Sequence, residues 1–496
     1  MKGYKVNISF KEEAFGKNDL RGLVDEVITP ELFEHVGKAY AEYLFAEYNK
    51  SEGLWVSVAQ DARKHSPKLT DALIKGLLSG GINILNIGIA PSPLAYFSEY
   101  LNLDHIGLPA LAGSLVVTAS HNPPQYNGLK LTCKKHSLSE GEIKKLKEIT
   151  FKGDFNRDVK PGIIKEYNII PDYIESAAES FGQPGKGIKV VVDSGNGTGG
   201  VVAPELYRKL GCEVVDICTE PDGNFPIHHP DPSNEKNMVY IKEKIAEVNA
   251  DFGIAFDGDS DRVGIVDNTG YSLPGDQLLL IFSLDILQDI DENKKKPVFI
   301  SEVKCSQVLF DQIEQNNGQA IMWKTGHAYI KSKMKEENAI LAGEMSGHIF
   351  FNDRYYGFDD AVYAGCRFIE IVAKHKAKNQ NFKVSELIEN LPKAYTSREL
   401  RIPCPNEFKS KVLANLKEEI EKNPGAFGKK IDKIITIDGL RIVFEGGFAL
   451  IRASNTEPTF TLMFEGETQE DCDNYKNSLL KILEESLEKI QAGAGR

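Results

Sequence analysis

Residues 54–89 read LWVSVAQDARKHSPKLTDALIKGLLSGGINILNIGI, a pattern that indicates the fold class. Apolar residues at Leu54–Ala59 and Ile82–Ile89 predict two strands. The segment Leu69–Ser79 between them has the apolar spacing of an amphipathic helix. A strand, a helix and a strand at this spacing indicate a βαβ unit and a largely parallel sheet.

The same pattern starts again twice further along the chain. Lys186–Asp193 predicts a strand, followed by the glycine-rich residues 194–200 and a helix near Ala203–Leu210. Pro297–Ser301 predicts another strand and Ser306–Asn316 another helix. The chain therefore contains three α/β segments of similar size.

The last hundred residues follow a different pattern. Four short strands with turns between them are predicted at Ile434–Asp438, Leu440–Phe444, Phe448–Arg452 and Thr459–Glu465. A polar helix rich in Lys and Glu follows from about Thr468 to Gln491. This order predicts a separate α+β domain.

Composition limits the class of protein. The 496 residues carry a net charge of −13, which argues against nucleic-acid partners and anionic membranes because both need a basic surface. No apolar run is long enough to span a membrane, and the first residues lack the apolar core of a signal peptide. The seven scattered cysteines form no C-x-x-C motif. We therefore expect a reduced, cytoplasmic enzyme.

Residues 115–124, LVVTASHNPP, place Ser120 and His121 in a polar loop after an apolar strand. A serine in this position can act as a nucleophile or phosphoryl carrier, and Lys130 is close enough in sequence to reach the same pocket. The G-x-S-x-G motif of α/β-hydrolases is absent. Because Ser, His, Asn and Pro are all common in turns, an ordinary turn remains the alternative.

Residues 251–266, DFGIAFDGDSDRVGIV, contain three aspartates at alternating positions, Asp257, Asp259 and Asp261, followed by Arg262. Carboxylates this close repel one another, and a divalent cation such as Mg²⁺ relieves the repulsion. An EF-hand is excluded because its sixth position requires Gly. A D-x-D-x-T phosphatase motif fails because Val263 replaces the threonine. The remaining alternative is an acidic turn.

Further polar clusters follow predicted strands. Glu344 and Ser346 in Gly343–His348 could bind sugar hydroxyls, and His327 and His348 could hold phosphate or move protons. Each histidine could equally be structural, and Lys304 could be a solvated lysine.

Residues 452–458, RASNTEP, combine arginine, two hydroxyls and an amide in a short turn. This combination is typical of a phosphate-binding nest, although a polar turn is the alternative. Arg21 in residues 18–22, NDLRG, is another candidate phosphate contact.

TASHNP, DGDSDR, GEMSGH and RASNTEP occur in this order, each in a different predicted segment. Together they resemble the motifs of the α-D-phosphohexomutase superfamily. NDLRG and VAQDARKHSP (residues 58–67) extend the resemblance over almost the whole chain. The GEMSGH loop, with VKC and TGH before it, is similar to the phosphomannomutase/phosphoglucomutase branch.

The resemblance implies three α/β domains with mixed sheets and a C-terminal α+β domain around a central cleft. The first domain would span residues 1–160 and carry Ser120, and the second, residues 161–269, would carry the aspartates. Residues 270–381 would hold the sugar-binding loop, and residues 382–496 the phosphate-binding loop.

The resemblance also implies residue roles. Ser120 would be a phosphoserine, and Mg²⁺ would bind Ser120 and the three aspartates. Lys130 and His348 would be the general acid and base, with Arg262 as an electrostatic aid. The implied substrate contacts are Arg21, Lys304, His327, Glu344, Ser346, Arg452, Ser454, Asn455 and Thr456.

The implied reaction interconverts mannose 1-phosphate and mannose 6-phosphate through a hexose 1,6-bisphosphate. Glucose phosphates are the expected second substrates, and a monomer is the expected assembly. One alternative is a phosphoglucomutase or another hexose-phosphate mutase. A metal-dependent sugar-phosphate phosphatase and a non-enzymatic sugar-phosphate sensor are the other two.

Overall fold

The computed structural model describes residues 10–155, 158–290, 295–454 and 458–494. Residues 491–494 are described by their backbone alone. The chain divides into two compact units. We call residues 1–274 with 346–386 the first unit, and residues 275–345 with 387–496 the second unit.

The strands of the described residues follow in chain order. They are β1 (Leu20–Leu23), β2 (Trp55–Gln60), β3 (Asn83–Ile89), β4 (Gly113–Val117), β5 (Tyr126–Cys133), β6 (His136–Ser137), β7 (Ile164–Glu166), β8 (Lys189–Asp193), β9 (Glu213–Ile217), β10 (Phe252–Phe256), β11 (Val263–Asp267), β12 (Ser272–Leu273), β13 (Val298–Glu302), β14 (Gln319–Trp323), β15 (Leu341–Gly343), β16 (Ile349–Phe351), β17 (Tyr395–Thr396), β18 (Leu400–Pro403), β19 (Ile431–Ile435), β20 (Leu440–Phe444), β21 (Gly447–Ala453) and β22 (Thr459–Gly466).

The α-helices of the same residues are α1 (Pro30–Tyr48), α2 (Ser66–Ser79), α3 (Ser92–Ser98), α4 (Glu140–Lys152), α5 (Ile170–Phe181), α6 (Ala203–Lys209), α7 (Val239–Val248), α8 (Gly275–Gln288), α9 (Gln307–Gln315), α10 (His327–Glu337), α11 (Ala361–Lys378), α12 (Glu386–Glu389), α13 (Asn406–Lys422) and α14 (Gln469–Ala494). Short 3₁₀ turns lie at Glu12–Ala14, Asp104–Ile106, Thr198–Val201, Glu235–Met238 and Pro424–Phe427. No helix in the described part of the chain is both long and apolar enough to cross a membrane.

The first sheet of the first unit has the strand order β1-β5-β4-β2-β3-β7, and β6 pairs with β5. β2 is parallel to β3 and β4, whereas β5 is antiparallel to β1 and β4, so the sheet is mixed. All five residues of β4 are buried, as expected for a strand covered on both faces. Gln60 and Val117 are paired at the ends of β2 and β4, so the loops that follow these strands start side by side.

The second sheet of the first unit has the order β12-β11-β10-β8-β9. β10 and β11 are antiparallel neighbours joined by residues 257–262, and Phe256 pairs with Val263 across the base of this loop. α11 packs on the same layer, where Tyr207 Oη donates a hydrogen bond of 3.0 Å to the carbonyl of Val362. The rings of Phe252 and Phe368 are also in contact, with centroids 5.0 Å apart.

The second unit contains a parallel set of strands and an antiparallel sheet. β13 lies between β14 and β15 and is parallel to both. The C-terminal sheet has the order β17-β22-β21-β20-β19, and β18 pairs with β22. Leu416 of α13 and Leu479 of α14 share a buried core with Phe464 of β22. This arrangement agrees with the predicted α/β organisation followed by an α+β segment.

Two predicted elements begin three residues earlier than expected. α2 begins at Ser66 rather than at Leu69, with a proline in its first turn, where the missing N–H costs nothing. The strand predicted at Ile434–Asp438 lies instead at Ile431–Ile435, because Gly439 adopts φ 89° in the turn before β20.

Candidate active site

Ser120 lies in the loop after β4, residues 118–126, which we call the Ser120 loop. The residue is 3% exposed and has φ 52°, a left-handed conformation that is uncommon for residues other than glycine. Its Oγ donates a hydrogen bond of 2.6 Å to Oδ2 of Asp257 and lies 3.2 Å from Nδ1 of His121. The buried hydroxyl therefore has a carboxylate acceptor, as an activated nucleophile requires.

The three predicted aspartates lie in residues 257–262, which we call the aspartate loop. Each is at most 1% exposed, and one carboxylate oxygen from each lies within 4.8 Å of the other two. Oδ1 of Asp257 accepts hydrogen bonds of 3.1 Å from the backbone N–H groups of Asp261 and Arg262. Oδ1 of Asp259 and Oδ1 of Asp261 are buried and have no hydrogen-bond partner.

These two unpartnered oxygens fit a bound cation. Burial, together with the charges of Asp261 and Asp259, raises the pKa of Asp257 well above its ordinary value. A cation with a preference for oxygen ligands would remove this repulsion and bind the oxygens that lack hydrogen bonds. The cluster could therefore hold a metal ion.

Lys130 of β5 lies against the aspartate loop. The strand pairs with β4, and Lys130 Nζ donates hydrogen bonds to Oδ2 of Asp259 and to Oδ2 of Asp261. Burial alone would lower the pKa of Lys130, but these two carboxylates raise it well above its ordinary value. Against the effect of burial, Lys130 and then His348 lower the pKa of Asp261.

His348 is held by contacts on both ring nitrogens. Nε of Arg262 donates a hydrogen bond of 3.0 Å to Nε2 of His348. Nδ1 lies 3.1 Å from the carbonyl oxygen of Asp261 and 3.4 Å from Oδ2 of Asp359. Because Nε2 accepts a hydrogen bond, the ring proton is on Nδ1. Asp359 was not predicted from the sequence.

Arg21 of β1 contacts the Ser120 loop. Its guanidinium donates hydrogen bonds of 2.6 Å to Oδ2 of Asp19 and to Oδ1 of Asn122.

Burial lowers the pKa of His121 well below its ordinary value, and the charges of Arg262 and Arg21 act in the same direction. The imidazole beside Ser120 is therefore neutral at pH 7.

The second unit carries a separate polar cluster centred on Glu302 and Glu344. Oε1 of Glu344 accepts a hydrogen bond of 2.7 Å from the N–H of Gly326, next to His327. Oε1 of Glu302, which is fully buried, accepts the N–H of Met345 at 2.8 Å. Nζ of Lys304 lies 3.6 Å from the same oxygen of Glu302.

Asp438 links the predicted phosphate contact to this cluster. Its Oδ2 accepts hydrogen bonds of 3.1 Å from the N–H of Thr325 and from Nε of Arg452. Oγ1 of Thr325 also donates to Oε2 of Glu302 over 2.5 Å. Ser454 lies at the end of this segment, where its carbonyl accepts a hydrogen bond from Lys409.

Comparison with known proteins places almost the whole chain in one family. Residues 12–157, 171–270 and 274–395 match the phosphoglucomutase/phosphomannomutase alpha/beta/alpha domains I, II and III. Residues 399–482 match the C-terminal domain. The chain belongs to the phosphoglucomutase/phosphomannomutase family. This confirms the resemblance to the phosphohexomutase superfamily and the predicted fold class.

Relatives of this family member match it over nearly their full length. A phosphomannomutase/phosphoglucomutase of Pseudomonas aeruginosa is 36% identical over 476 residues, covering 95% of this chain and 96% of the relative. A phosphoglucomutase of Neisseria gonorrhoeae is 35% identical, with 96% and 98% covered. The crystal structure of a phosphoglucomutase/phosphomannomutase family protein from Burkholderia thailandensis has a TM-score of 0.87 and 33% identity, with 96% and 98% covered.

The predicted site residues of the family member fall into the two units. The first unit brings together Arg21, Ser120, Lys130, Asp257, Asp259, Asp261, Arg262 and His348. Ser346 lies in the same unit, two residues before His348, and is half-buried. The second unit contains Lys304, His327, Glu344, Arg452 and Ser454. Asn455 and Thr456 lie outside the described residues.

Several polar residues of these clusters were not found by sequence reasoning. Asp61 and Arg63 lie in VAQDARKHSP, which was noted only as a resemblance. Glu302 ends the apolar stretch at residues 298–302, and Asp438 ends the one at residues 434–438, as the predicted aspartates do. Position at the end of an apolar stretch was therefore the signal that could have found Glu302 and Asp438, whereas Asp359, in residues 355–360, YYGFDD, has no such signal.

Proposed function

We propose that this family member interconverts mannose 1-phosphate and mannose 6-phosphate, and also acts on glucose phosphates. It would be an isomerase of the intramolecular phosphotransferase type. Ser120 would carry the phosphoryl group, and a hexose 1,6-bisphosphate would be the intermediate. One observation carries the proposal: Ser120 Oγ is 2.6 Å from Asp257, beside two buried carboxylate oxygens that lack hydrogen bonds.

The donor set of the aspartate loop favours Mg²⁺ as the metal. Oxygen ligands are the ones Mg²⁺ prefers, and no thiol or imidazole belongs to the group of Asp257, Asp259 and Asp261. When bound, the ion would neutralise part of the charge on the transferred phosphoryl group. Ser120 and the three aspartates are the residues that would hold it.

The other residues of the first unit would orient the reacting groups and move protons. Nδ1 of His348 carries a proton, and Nζ of Lys130 is a buried ammonium group, so these two are the candidates for general acid and base. Arg262 and Arg21 would stabilise negative charge near Ser120. Phosphoryl transfer depends mainly on such positioning and charge stabilisation.

Nine residues would contact the substrate. Glu344 and Ser346 would bind the sugar, and Arg452, Ser454, Asn455 and Thr456 would hold its non-reacting phosphate. Arg21, Lys304 and His327 would be further substrate contacts. The orientation of Arg452 by Asp438 supports this role, because a fixed guanidinium can bind phosphate with two parallel hydrogen bonds. The names of the relatives support both mannose and glucose phosphates as substrates.

The test is to assay wild-type protein and Ser120→Ala with mannose 1-phosphate and with glucose 1-phosphate. We expect the wild type to produce the 6-phosphates, and the variant to lose more than about 10⁴-fold in turnover, the scale of losing a nucleophile. Steady release of inorganic phosphate by the wild type, without 6-phosphate, would instead show a phosphatase. Undiminished mutase activity of Ser120→Ala would exclude Ser120 as the carrier.

A further inference from the structure

Arg63 is a buried arginine with no role in the proposed chemistry. Its side chain is 1% exposed, so it cannot contact substrate or solvent. It nevertheless uses all five of its N–H donors within the first unit. Four of them bind the Ser120 loop.

We propose that Arg63 is a positioning residue that fixes the backbone of the Ser120 loop for phosphoryl transfer. One terminal nitrogen donates to the carbonyls of Ser120 at 2.8 Å and Asn122 at 2.6 Å. The other donates to the carbonyls of Pro123 at 2.7 Å and Tyr126 at 3.1 Å. A single guanidinium therefore holds four peptide carbonyls between Ser120 and Tyr126.

Asp61 orients Arg63 and completes the contact with Ser120. Oδ2 of Asp61 accepts a hydrogen bond of 2.9 Å from Nε of Arg63 and one of 2.8 Å from Oγ1 of Thr118. Thr118 Oγ1 in turn accepts the backbone N–H of Ser120 at 2.9 Å. The Asp61–Arg63 pair thus holds Ser120 on both sides, its N–H through Thr118 and its carbonyl through Arg63.

The sheet explains why these residues meet. β2 and β4 are adjacent and parallel, and Gln60 is paired with Val117 at their ends. Asp61 and Thr118 are the next residues, so the carboxylate and the start of the Ser120 loop are neighbours. The left-handed φ of Ser120 is a backbone conformation that the surroundings must stabilise, and these hydrogen bonds do so.

The expected effect is on the rate of transfer and not on substrate affinity. Arg63 is buried away from substrate, and loss of its contacts would let Ser120 Oγ move relative to Asp257. A displacement of about 1 Å at a reacting atom can lower a rate by about 10²-fold. Lysine is not an equivalent replacement, because it has three donors and cannot reproduce the planar five-donor pattern.

The experiment compares the wild type, Arg63→Lys and the control Arg367→Lys. Arg367 is another buried guanidinium of the first unit, paired with Asp353 and remote in sequence from the Ser120 loop. Dephosphorylated enzyme is mixed with hexose 1,6-bisphosphate, and phosphate on residues 118–126 is followed by rapid quench and mass spectrometry. Hydrogen exchange of the same peptide is measured without ligand.

This inference rests on the proposed function. Phosphate loading and hydrogen exchange together distinguish a failure of the role of Arg63 from a failure of the proposed function. We expect Arg63→Lys to load Ser120 about 10²-fold more slowly at full amplitude, with faster exchange in the Ser120 loop. Arg367→Lys should match the wild type in both. A lower amplitude with an unchanged rate constant, or unchanged rate and exchange, would overturn the role of Arg63. If wild-type Ser120 never acquires phosphate, the proposed function fails, and the exchange data alone decide whether Arg63 orders the loop.

Discussion

Ser120 Oγ lies 2.6 Å from Oδ2 of Asp257, although the two residues are 137 positions apart in the chain. They come from different sheets of the first unit, at the ends of β4 and β10. Their loops are also in backbone contact, because a Cβ added to Gly258 would be 2.5 Å from the carbonyl oxygen of Ser120. The proposed phosphoryl carrier and the proposed metal ligands therefore share one packed contact.

That contact predicts the effect of Gly258→Ala. The added methyl group cannot fit 2.5 Å from the carbonyl of Ser120, so one loop must move. We expect turnover to fall by about 10²-fold, the usual scale for a small displacement of reacting groups. Gly141→Ala in α4 is the control, since its Cβ would meet nothing within 4 Å. Equal turnover of the two variants would show that the close approach is not needed.

Magnesium should stabilise the protein through the aspartate loop. A ligand at about 100 times its Kd stabilises the folded state by about 2.7 kcal/mol, and relief of carboxylate repulsion is the source here. The midpoint of urea unfolding should rise when Mg²⁺ is added to metal-free protein and fall with EDTA. Asp259→Asn should abolish the shift, and persistence of the full shift in this variant would place the ion elsewhere.

Asp438 should affect substrate binding through Arg452. Its Oδ2 accepts the N–H of Thr325 and Nε of Arg452. Hydrogen bonds to charged groups contribute about 1.5–3 kcal/mol, so Asp438→Asn should raise KM for hexose phosphates by about tenfold or more. Asp432→Asn, an exposed carboxylate in the same sheet, is the control. A fall in kcat with unchanged KM would contradict a role in substrate binding.

The contact of His228 with Asp193 should make the stability of the protein depend on pH. Burial alone would lower the pKa of His228, but the hydrogen bond to Asp193 raises it to about 10. Because the folded-state pKa is above the unfolded value, this contribution is fully present below about pH 6.5 and is lost as pH rises through about 10. Between pH 7 and pH 11 the wild type should lose more unfolding free energy than His228→Gln. Equal losses of unfolding free energy in the two proteins would show that the His228–Asp193 pair does not contribute to stability.

The sequence predicted the parts of the fold and site that depend on local patterns. Apolar spacing located β2, β3 and α2 within a few residues, and alternating aspartates predicted the acidic cluster that could hold a metal ion. These signals are local because a helix face, a buried strand and a carboxylate triplet each lie within one short segment.

Other features depend on contacts between distant segments, which one sequence does not show. Arg63 is 57 positions from Ser120, whose carbonyl it binds, and Asp438 is 113 positions from Thr325. The hydrogen bond from Tyr207 to the carbonyl of Val362 likewise joins residues 155 positions apart. The strand predicted at Ile434–Asp438 lies instead at Ile431–Ile435, because the turn at Gly439 sets where the hairpin begins.

Phosphate on Ser120 can be measured by intact-mass spectrometry and peptide mapping after incubation with hexose 1,6-bisphosphate and Mg²⁺. A phosphoryl relay predicts one phosphate per chain, located on Ser120, which transfers to added mannose 6-phosphate to regenerate the bisphosphate. The variant Ser120→Ala should acquire none. An unphosphorylated Ser120 in protein that still interconverts hexose phosphates, or a stable phosphate on another residue, would contradict a phosphoryl relay through Ser120.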